Sequence, residues 1–147
     1  KDDNDDDMGI AVLDLSNNKI DDPLIIDDVL SKMKGLRVLY LKGNPVVKNI
    51  KNYRKTIIAK LPKLRYLDDR PIFPDERRLA EVFYYNGGSI EKEREERKLI
   101  RQEKEDERKR NMKNFNIMIK RARDEYREGR LMRNNDNRYY ENNTIER

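Results

Sequence analysis

The sequence predicts an α/β solenoid end followed by a long charged α-helix, and three observations support this fold class. The spacing L-x-x-L-x-L-x-x-N-x-L occurs in residues 10–20 as IAVLDLSNNKI and returns 26 residues later as LRVLYLKGNPV. Each copy is followed by apolar residues at helical spacing. Residues 89–133 contain no proline and only one glycine, and charged residues dominate them.

The repeated spacing is the strand-and-turn signature of a leucine-rich repeat. A third, degenerate copy begins at Leu64 and has Asp69 where a buried leucine belongs. Residues 10–73 are therefore predicted to form two leucine-rich repeats and a C-terminal cap. A solenoid generally needs three or more repeats, so we expect further repeats upstream of Lys1. The consensus positions are Ile10, Leu13, Leu15, Asn18 and Ile20, and then Leu36, Leu39, Leu41, Asn44 and Val46.

Composition excludes several classes of function. The chain of 147 residues is 43% charged and has neither cysteine nor histidine. These absences remove disulfides, most transition-metal sites, histidine bases and cysteine nucleophiles. There is also no apolar run of about 18 residues that could form a transmembrane segment. We predict no catalytic residue and no cofactor.

An acidic run, KDDNDDD, opens the chain. A calcium loop of the EF-hand type needs glycine at its sixth position and glutamate at its twelfth, and this run supplies neither. We therefore predict a solvated acidic connector over residues 1–9 and no metal site.

Two helices are predicted between the strands. The stretch PLIIDDVLSKMKG has Pro23 suited to a first helical turn and Gly35 suited to a helix end. After the second repeat, apolar residues spaced three, four and four apart predict a helix of about three turns that ends before Pro62.

Parallel strands place residues at equal repeat positions side by side on the open, concave face. Three rows are predicted there: Val12, Val38 and Tyr66; Asp14, Tyr40 and Asp68; and Ser16, Lys42 and Arg70. Repeat proteins of this shape bind partners with this face. The rows therefore predict a protein-binding surface, although ordinary surface variation explains them equally well. Its predicted residues are Val12, Asp14, Val38, Tyr40, Lys42, Tyr66, Asp68 and Arg70.

The segment that follows the repeats carries a family resemblance. The sequence DDRPIFPDERRLAEVFYYNGG and the glutamates after it resemble the post-cap region of the axonemal dynein assembly factor 1 family, which are ciliary leucine-rich repeat proteins. The resemblance covers roughly residues 10–99. It is carried by Asp68, Asp69, Arg70, Pro71, Phe73, Pro74, Arg77, Ala80, Glu81, Gly87, Gly88, Glu91, Glu93, Glu95, Glu96 and Arg97.

Three further segments complete the predicted organisation. A post-cap helix over residues 74–88 begins at Pro74 and ends at the two glycines. A long charged helix follows over residues 89–133, with Ser89 as its N-cap. Residues 134–147 are asparagine-rich and lack periodicity, so we predict an irregular tail.

The second half of the long helix has a heptad seam, as in a coiled coil, and an excess of positive charge. Its 108–133 stretch contains ten Lys and Arg residues against three acidic ones. This combination favours docking on another protein, but a solvated helix whose apolar residues fold back on the cap also fits. Nucleic acid or an acidic membrane is a further alternative. The seam consists of Met112, Phe115, Ile119, Ala122 and Tyr126.

The resemblance implies a non-enzymatic protein-interaction scaffold for axonemal dynein arm assembly and ciliary motility. Its partners would be dynein subunits, assembly factors or microtubule-associated proteins, in the cilium or axoneme or in the cytoplasm of a ciliated cell. The alternative is a structural axonemal subunit, part of the cytoskeleton, docked on a microtubule-associated complex through the repeat face and the basic helix. Nucleic acid is disfavoured because the basic stretch lacks interleaved aromatics. No homo-oligomer is indicated.

Overall fold

The computed structural model describes the backbone of residues 9–144 and the side chains of residues 9–133. The predicted acidic connector, apart from Gly9, therefore lies outside the described residues. The chain divides into two units, Lys1–Ile100 and Arg101–Arg147, and each is described by itself.

The first unit contains a mixed four-stranded sheet. Its strands are β1 (Val12–Asp14), β2 (Val38–Tyr40), β3 (Tyr66–Leu67) and β4 (Arg70–Pro71), in the order β1-β2-β3-β4. The first three strands are parallel, and β4 returns antiparallel to β3. The register pairs Val12 with Val38 and Val38 with Tyr66, as predicted from the repeat spacing. A mixed sheet followed by a long helix agrees with the predicted α/β class.

The helices between the strands are shorter than predicted. The stretch expected to form one helix gives a single α turn, α1 (Ile25–Asp28), and a 3₁₀ turn at Leu30–Lys32. Val29, between them, departs from helical geometry, with φ −121° and ψ −64°. The Ser31 hydroxyl donates to the Asp27 carbonyl oxygen at 2.6 Å, a local bond that competes with regular helix hydrogen bonding.

The second predicted helix is also shorter. It forms α3 (Tyr53–Lys60) and ends before Pro62 as predicted, and a separate turn that was not predicted, α2 (Val46–Asn49), precedes it. Asn52 separates the two with a left-handed backbone at φ 51°. Asparagine tolerates this conformation better than most residues, whereas a continuous helix cannot pass through it.

The consensus leucines form the core. Leu39, Leu41, Leu64 and Leu67 are buried between the sheet and the helices. Leu13, on the outer strand β1, is only partly buried, because among the described residues β1 pairs with β2 alone. Burial of such side chains stabilises the unit by roughly 1.5–3 kcal/mol each.

The consensus asparagines bond the backbone where it leaves the sheet, and Asn44 also ties the two repeats together. The buried Asn44 amide donates to the carbonyl oxygens of Leu15 and Leu41, both at 2.8 Å, and its oxygen accepts from the Ile20 N–H at 3.1 Å. Asn18 donates to the Leu15 carbonyl oxygen at 2.8 Å, a contact within its own turn. These side chains satisfy backbone groups where the chain leaves the sheet.

Two helices follow the sheet. The post-cap helix α4 spans Pro74–Tyr85, and α5 spans Ile90–Thr144. Ser89 caps α5 as predicted, because its hydroxyl accepts from the Lys92 N–H at 3.3 Å. No described helix is apolar enough over a sufficient length to cross a membrane.

The backbone of α5 continues beyond the predicted end near residue 133. It remains helical to Thr144, through most of the stretch predicted to be irregular. Residues 130–144 contain neither glycine nor proline, and adding a residue to an existing helix costs far less than starting one. Residues 145–147 of the predicted tail lie outside the described residues.

Candidate interaction surfaces

The open face of the sheet presents an apolar patch. The burial pattern alternates along β1, with Val12 61% exposed and Leu13 turned toward the core. Val38, Tyr40 and Tyr66 are half-buried on the two neighbouring strands. The rings of Tyr40 and Tyr66 lie 6.0 Å apart between centroids, at 50° to each other. Tilted aromatic pairs at this distance attract one another and form a fixed surface.

The predicted middle row is wrong at Asp68. This residue follows β3 with a left-handed backbone at φ 53°. Its Oδ1 accepts from the N–H groups of Leu41 and Lys42 at 2.8 and 3.0 Å, and its Oδ2 accepts from the Tyr53 hydroxyl at 3.1 Å. The carboxylate therefore bonds backbone beyond the end of β2 instead of lying beside Tyr40. These N–H groups need an acceptor, since β3 is too short to supply one.

Tyr53 holds the other oxygen of Asp68 as a hydrogen-bond donor. Burial, reinforced by the negative charge of Asp68, raises the pKa of the Tyr53 hydroxyl far above its ordinary value. The hydroxyl therefore keeps its proton at physiological pH. Asp68 thus contributes to the structure of the sheet end, whereas its predicted partners Asp14 and Tyr40 pair across β1 and β2.

The third predicted row is also divided. Lys42 donates to Asp69 Oδ1 at 2.7 Å, and this bond raises the pKa of Lys42. Arg70 pairs in register with Leu67 and lies 3.5 Å from Glu76 of α4, measured from Nη2 to Oε1. Arg70 therefore faces the start of α4 and does not extend the row. The open face that the structure brings together consists of Val12, Asp14, Val38, Tyr40, Lys42 and Tyr66.

The acidic border of this face is ionised. The Asp14 carboxylate is exposed and accepts from the Ser16 N–H at 2.8 Å. Hydrogen bonding by Ser16 lowers the pKa of Asp14. The face therefore has an apolar centre, with a carboxylate on β1 and the Lys42 ammonium just beyond β2.

Arg54, which the sequence did not single out, joins three elements. Its Nε and Nη2 donate to the two carboxylate oxygens of Glu76 at 2.6 and 2.8 Å. Its remaining bonds reach the carbonyl oxygens of Leu67 at 3.2 Å and Pro71 at 2.9 Å. A single guanidinium thus connects α3, the β3–β4 turn and the first turn of α4. Hydrogen bonding from Arg54 lowers the pKa of Glu76.

Arg77 has a similar structural role. Its guanidinium donates to the carbonyl oxygens of Ile58 at 2.8 Å, of Leu61 at 3.3 Å and of Leu64. Carbonyl groups at a helix C-terminus lack helical partners, and a cationic donor satisfies them well. Arg77 is one of the residues on which the family resemblance rests, and its function in the structure is to attach α4 to the end of α3.

The first turns of α5 are fixed by a buried carboxylate. Glu93 is 7% exposed and accepts from Lys55 Nζ at 2.5 Å and Arg97 Nη2 at 2.9 Å. The same Lys55 ammonium lies 4.2 Å from the ring centroid of Phe83. Burial by itself raises the pKa of Glu93, but the hydrogen bonds from Lys55 and Arg97 outweigh it and leave the pKa lowered. Arg78 and Glu96 form a second ion pair nearby.

The helical seam is solvent-exposed in the second unit. Met112, Phe115 and Tyr126 are 57%, 53% and 65% exposed, and Ile119 is partly buried. Ala122 completes the predicted row. The seam therefore has no apolar partner among the residues that the structure describes. Among all the residues that the structure describes, no group of three or more Asp or Glu side chains is placed so that it could hold a metal ion.

The chain matches no protein-family model, but it is similar to several curated proteins. It is 46% identical over 121 residues to the leucine-rich repeat-containing protein ODA7 of Chlamydomonas reinhardtii, a match covering 82% of this chain and 27% of that protein. It is 50% identical over 86 residues to human dynein axonemal assembly factor 1, covering 58% of this chain and 12% of the relative.

A third relative extends the range of organisms. The dynein axonemal assembly factor 1 homolog of Anopheles gambiae is 49% identical over 100 residues, covering 68% of this chain and 10% of that protein. The resemblance to the axonemal dynein assembly factor 1 family is thereby confirmed. This chain spans only about a quarter or less of the length of these relatives.

Proposed function

We propose that this chain, a relative of the dynein axonemal assembly factors, is a non-enzymatic protein-interaction scaffold in the assembly of axonemal dynein arms. The observation that supports this most is the identity of 46–50% to two proteins named for leucine-rich repeats and for dynein assembly. The scaffold acts in the cytoplasm of a ciliated cell or in the cilium, and its partners are dynein subunits, other assembly factors or microtubule-associated proteins.

We propose further that the first unit is the end of a leucine-rich repeat solenoid. The in-register parallel pairing of the two consensus strands supports this, as does the name of the algal relative. β1 has one strand neighbour among the described residues, and Ile10 and Val12 are more than half exposed there. An additional repeat would cover this edge. The boundaries that we propose are 10–73 for repeats and cap, 74–88 for the post-cap helix and 89–133 for the charged helix.

Two surfaces make the contacts in this proposal. One is the open sheet face, with the Tyr40 and Tyr66 rings at its centre. The other is the seam of α5, whose large apolar side chains are exposed. Exposed apolar patches with polar borders are typical of protein-binding sites. Aromatic residues at such a patch contribute most of the binding free energy in many interfaces.

The experiment compares two charge reversals on exposed lysines. Lys42→Glu changes the border of the open face, whereas the control Lys48→Glu makes the same change on α2. The tagged protein is recovered from cytoplasm of ciliated cells, and the co-purifying dynein heavy chains are quantified. We expect Lys42→Glu to reduce recovery about tenfold, since a like charge at an interface rim costs affinity. Equal recovery with both variants would remove the open face from the proposal.

The second candidate function is a structural axonemal subunit docked on a microtubule-associated complex. The observation that favours it is α5, which spans 55 residues and exposes a seam. Most of the stability of a helix in a protein comes from packing against other elements. A partner that binds along α5 therefore best explains how so long a helix stays folded in a cell. The two candidates differ in whether the protein stays with the axoneme after assembly.

A further inference from the structure

A row of cations runs beside the apolar seam at the same helical spacing. This row has seven positions, spaced alternately four and three residues apart. Six of the seven residues are Lys or Arg. Two rows with this spacing follow adjacent lines along a helix. The cationic stripe consists of Lys109, Lys113, Asn116, Lys120, Arg123, Arg127 and Arg130.

Two shallow grooves on α5 are each lined by members of both rows. One shallow groove brings Met112 together with Lys109, Lys113, Asn116 and Lys120. A second groove is lined by Ile119, Ala122 and Tyr126 of the seam and by Arg123, Arg127 and Arg130 of the cationic stripe. Each groove therefore brings apolar and cationic side chains together.

Most of this charge has no carboxylate beside it. Lys109 pairs with Glu105 at 2.8 Å, but no ion pair involves Lys113, Lys120, Arg123, Arg127 or Arg130 within the described residues. Like charges three and four residues apart on a helix repel one another. The row is therefore unfavourable for the isolated helix and favours an anionic partner.

None of the three acidic residues of this stretch falls in the cationic stripe, although Asp124 borders it between Lys120 and Arg127. If Met112 and Ile119 occupy heptad position a, the cations fall at positions b and e. Asp124, Glu125 and Glu128 then fall at f, g and c. The stripe thus lies on one side of the seam, and the other side contains Glu125 and Glu128 together with a single cation, Arg121.

We propose that the double stripe, which is the apolar seam together with the cationic stripe, binds an acidic amphipathic helix of another protein. The apolar side chains of that helix pack on the seam, and its Asp and Glu residues face the cationic stripe. The inference rests on the proposed role of the seam as a docking surface and adds the chemistry of its partner. Complementary charge at the border of an apolar contact sets orientation and excludes wrong partners.

The other occupants fit the charges less well. In a parallel pair with a second copy, the cations at position e would face Asn111, Met118 and Glu125, which include one carboxylate. In an antiparallel pair they would face one another. A helix lying on an anionic membrane has cations on both borders of its apolar face, whereas here one border contains Glu125.

The experiment uses the whole 147-residue chain and three synthetic helical peptides of equal apolar face. The residues that flank the apolar face are Glu in the first peptide, Gln in the second and Lys in the third. Binding is measured by fluorescence anisotropy of the labelled peptide at two salt concentrations. We expect the Glu peptide to bind about tenfold more tightly than the Gln peptide, and less tightly in high salt. The Lys peptide should not bind.

Paired variants test the cationic stripe itself. Arg123→Glu with Arg127→Glu should weaken binding of the Glu peptide about tenfold. The matched control, Arg110→Glu with Arg121→Glu, reverses as many charges at positions outside the stripe. The control should change the affinity less than about twofold, and circular dichroism verifies that both proteins keep their helix content.

Several outcomes would overturn the inference, and they can be told apart. Equal binding of the Glu and Gln peptides would reject an acidic partner and leave docking on the seam intact. Tighter binding to phosphatidylserine vesicles or duplex DNA than to the Glu peptide would assign the stripe to a membrane or to nucleic acid. Binding of no peptide would reject a helical partner, while the dynein recovery experiment would still test the proposed function.

Discussion

At the residue scale, the first unit depends on a few charged side chains that join distant parts of the chain. Arg54 contacts Glu76, which is 22 residues away, and Arg77 contacts carbonyl groups 13 to 19 residues away. Both side chains of the Arg54–Glu76 ion pair are mostly buried, since Arg54 is 22% exposed and Glu76 is 30% exposed. Charge-assisted, two-pronged bonds of this kind are stronger than ordinary surface ion pairs.

Replacing Glu76 with glutamine should produce a pH-dependent loss of stability. Because the folded state lowers the pKa of Glu76, its contribution is present above the unfolded pKa and is lost as pH falls through the folded pKa. We expect Glu76→Gln to lower the free energy of unfolding by about 1.5–3 kcal/mol at pH 7. The difference should shrink below about pH 4.3.

The measurement is urea unfolding followed by circular dichroism at neutral and acidic pH. Glu91→Gln, at an exposed position in the first turn of α5, is the control. It should change stability by less than about 0.5 kcal/mol. A penalty for Glu76→Gln that stays constant from pH 7 to pH 3 would show that the carboxylate charge is not its source.

The residues also show where sequence reasoning reached its limit. Leu39 takes its predicted position, because strand register follows from the spacing of the repeats. Asp68 does not, because its direction depends on a left-handed backbone and on two N–H groups that lie 26 and 27 residues earlier. Arg54 was missed for the same reason, since its partners are distant in sequence.

At the element scale, α5 has two distinct parts. Its first turns, up to Ile100, belong to the first unit, and the buried Glu93 holds them to Lys55 of α3. The remainder belongs to the second unit and is largely exposed. Local stability in a protein follows such contacts, so exchange of amide hydrogens should differ along this one helix.

Removing the cation opposite Glu93 should loosen the start of α5. Lys55→Met leaves a buried carboxylate with Arg97 as its one ionic partner among the described residues, and such a group is costly. We expect amide hydrogen exchange over residues 90–100 to speed up by about tenfold or more, as measured by mass spectrometry. Lys98→Met, an exposed lysine of the same helix, should leave exchange unchanged. An equal effect of both variants would contradict the role given to Lys55.

The helices illustrate what periodicity can and cannot predict. The apolar spacing placed helical turns correctly around Ile26 and Ile57, and the proline signal placed the start of α4 correctly, although α4 ends at Tyr85 and not at residue 88. Periodicity did not predict the interruptions at Val29 and Asn52, since each is set by local backbone geometry. It also ended α5 too early, because asparagine-rich composition disfavours starting a helix more than it prevents an existing one from continuing.

At the scale of the whole molecule, the two proposed functions predict different locations. An assembly factor acts on dynein arms before they reach the axoneme, whereas a structural subunit stays in the axoneme. The proposed scaffold should therefore be recovered mainly from cell-body cytoplasm when ciliated cells are separated into cytoplasm, ciliary matrix and salt-washed axonemes.

Quantitative immunoblotting of these fractions measures the distribution. Axonemal dynein heavy chain and a cytoplasmic enzyme serve as markers of the two compartments. Retention of most of the protein in salt-washed axonemes would favour the structural alternative. That result would leave the fold and the double stripe of α5 unaffected, because neither depends on the compartment.

The two edges of the sheet are chemically unequal. β4, at one edge, is two residues long and contains Pro71, which has no N–H to offer another strand. β1, at the other edge, pairs only with β2 among the described residues. Strand addition is therefore blocked at one edge and permitted at the other. A chain that lacks the additional repeat proposed for the β1 edge and misassembles edge to edge would stop at a closed pair, since neither member would have a second edge from which a fibril could grow.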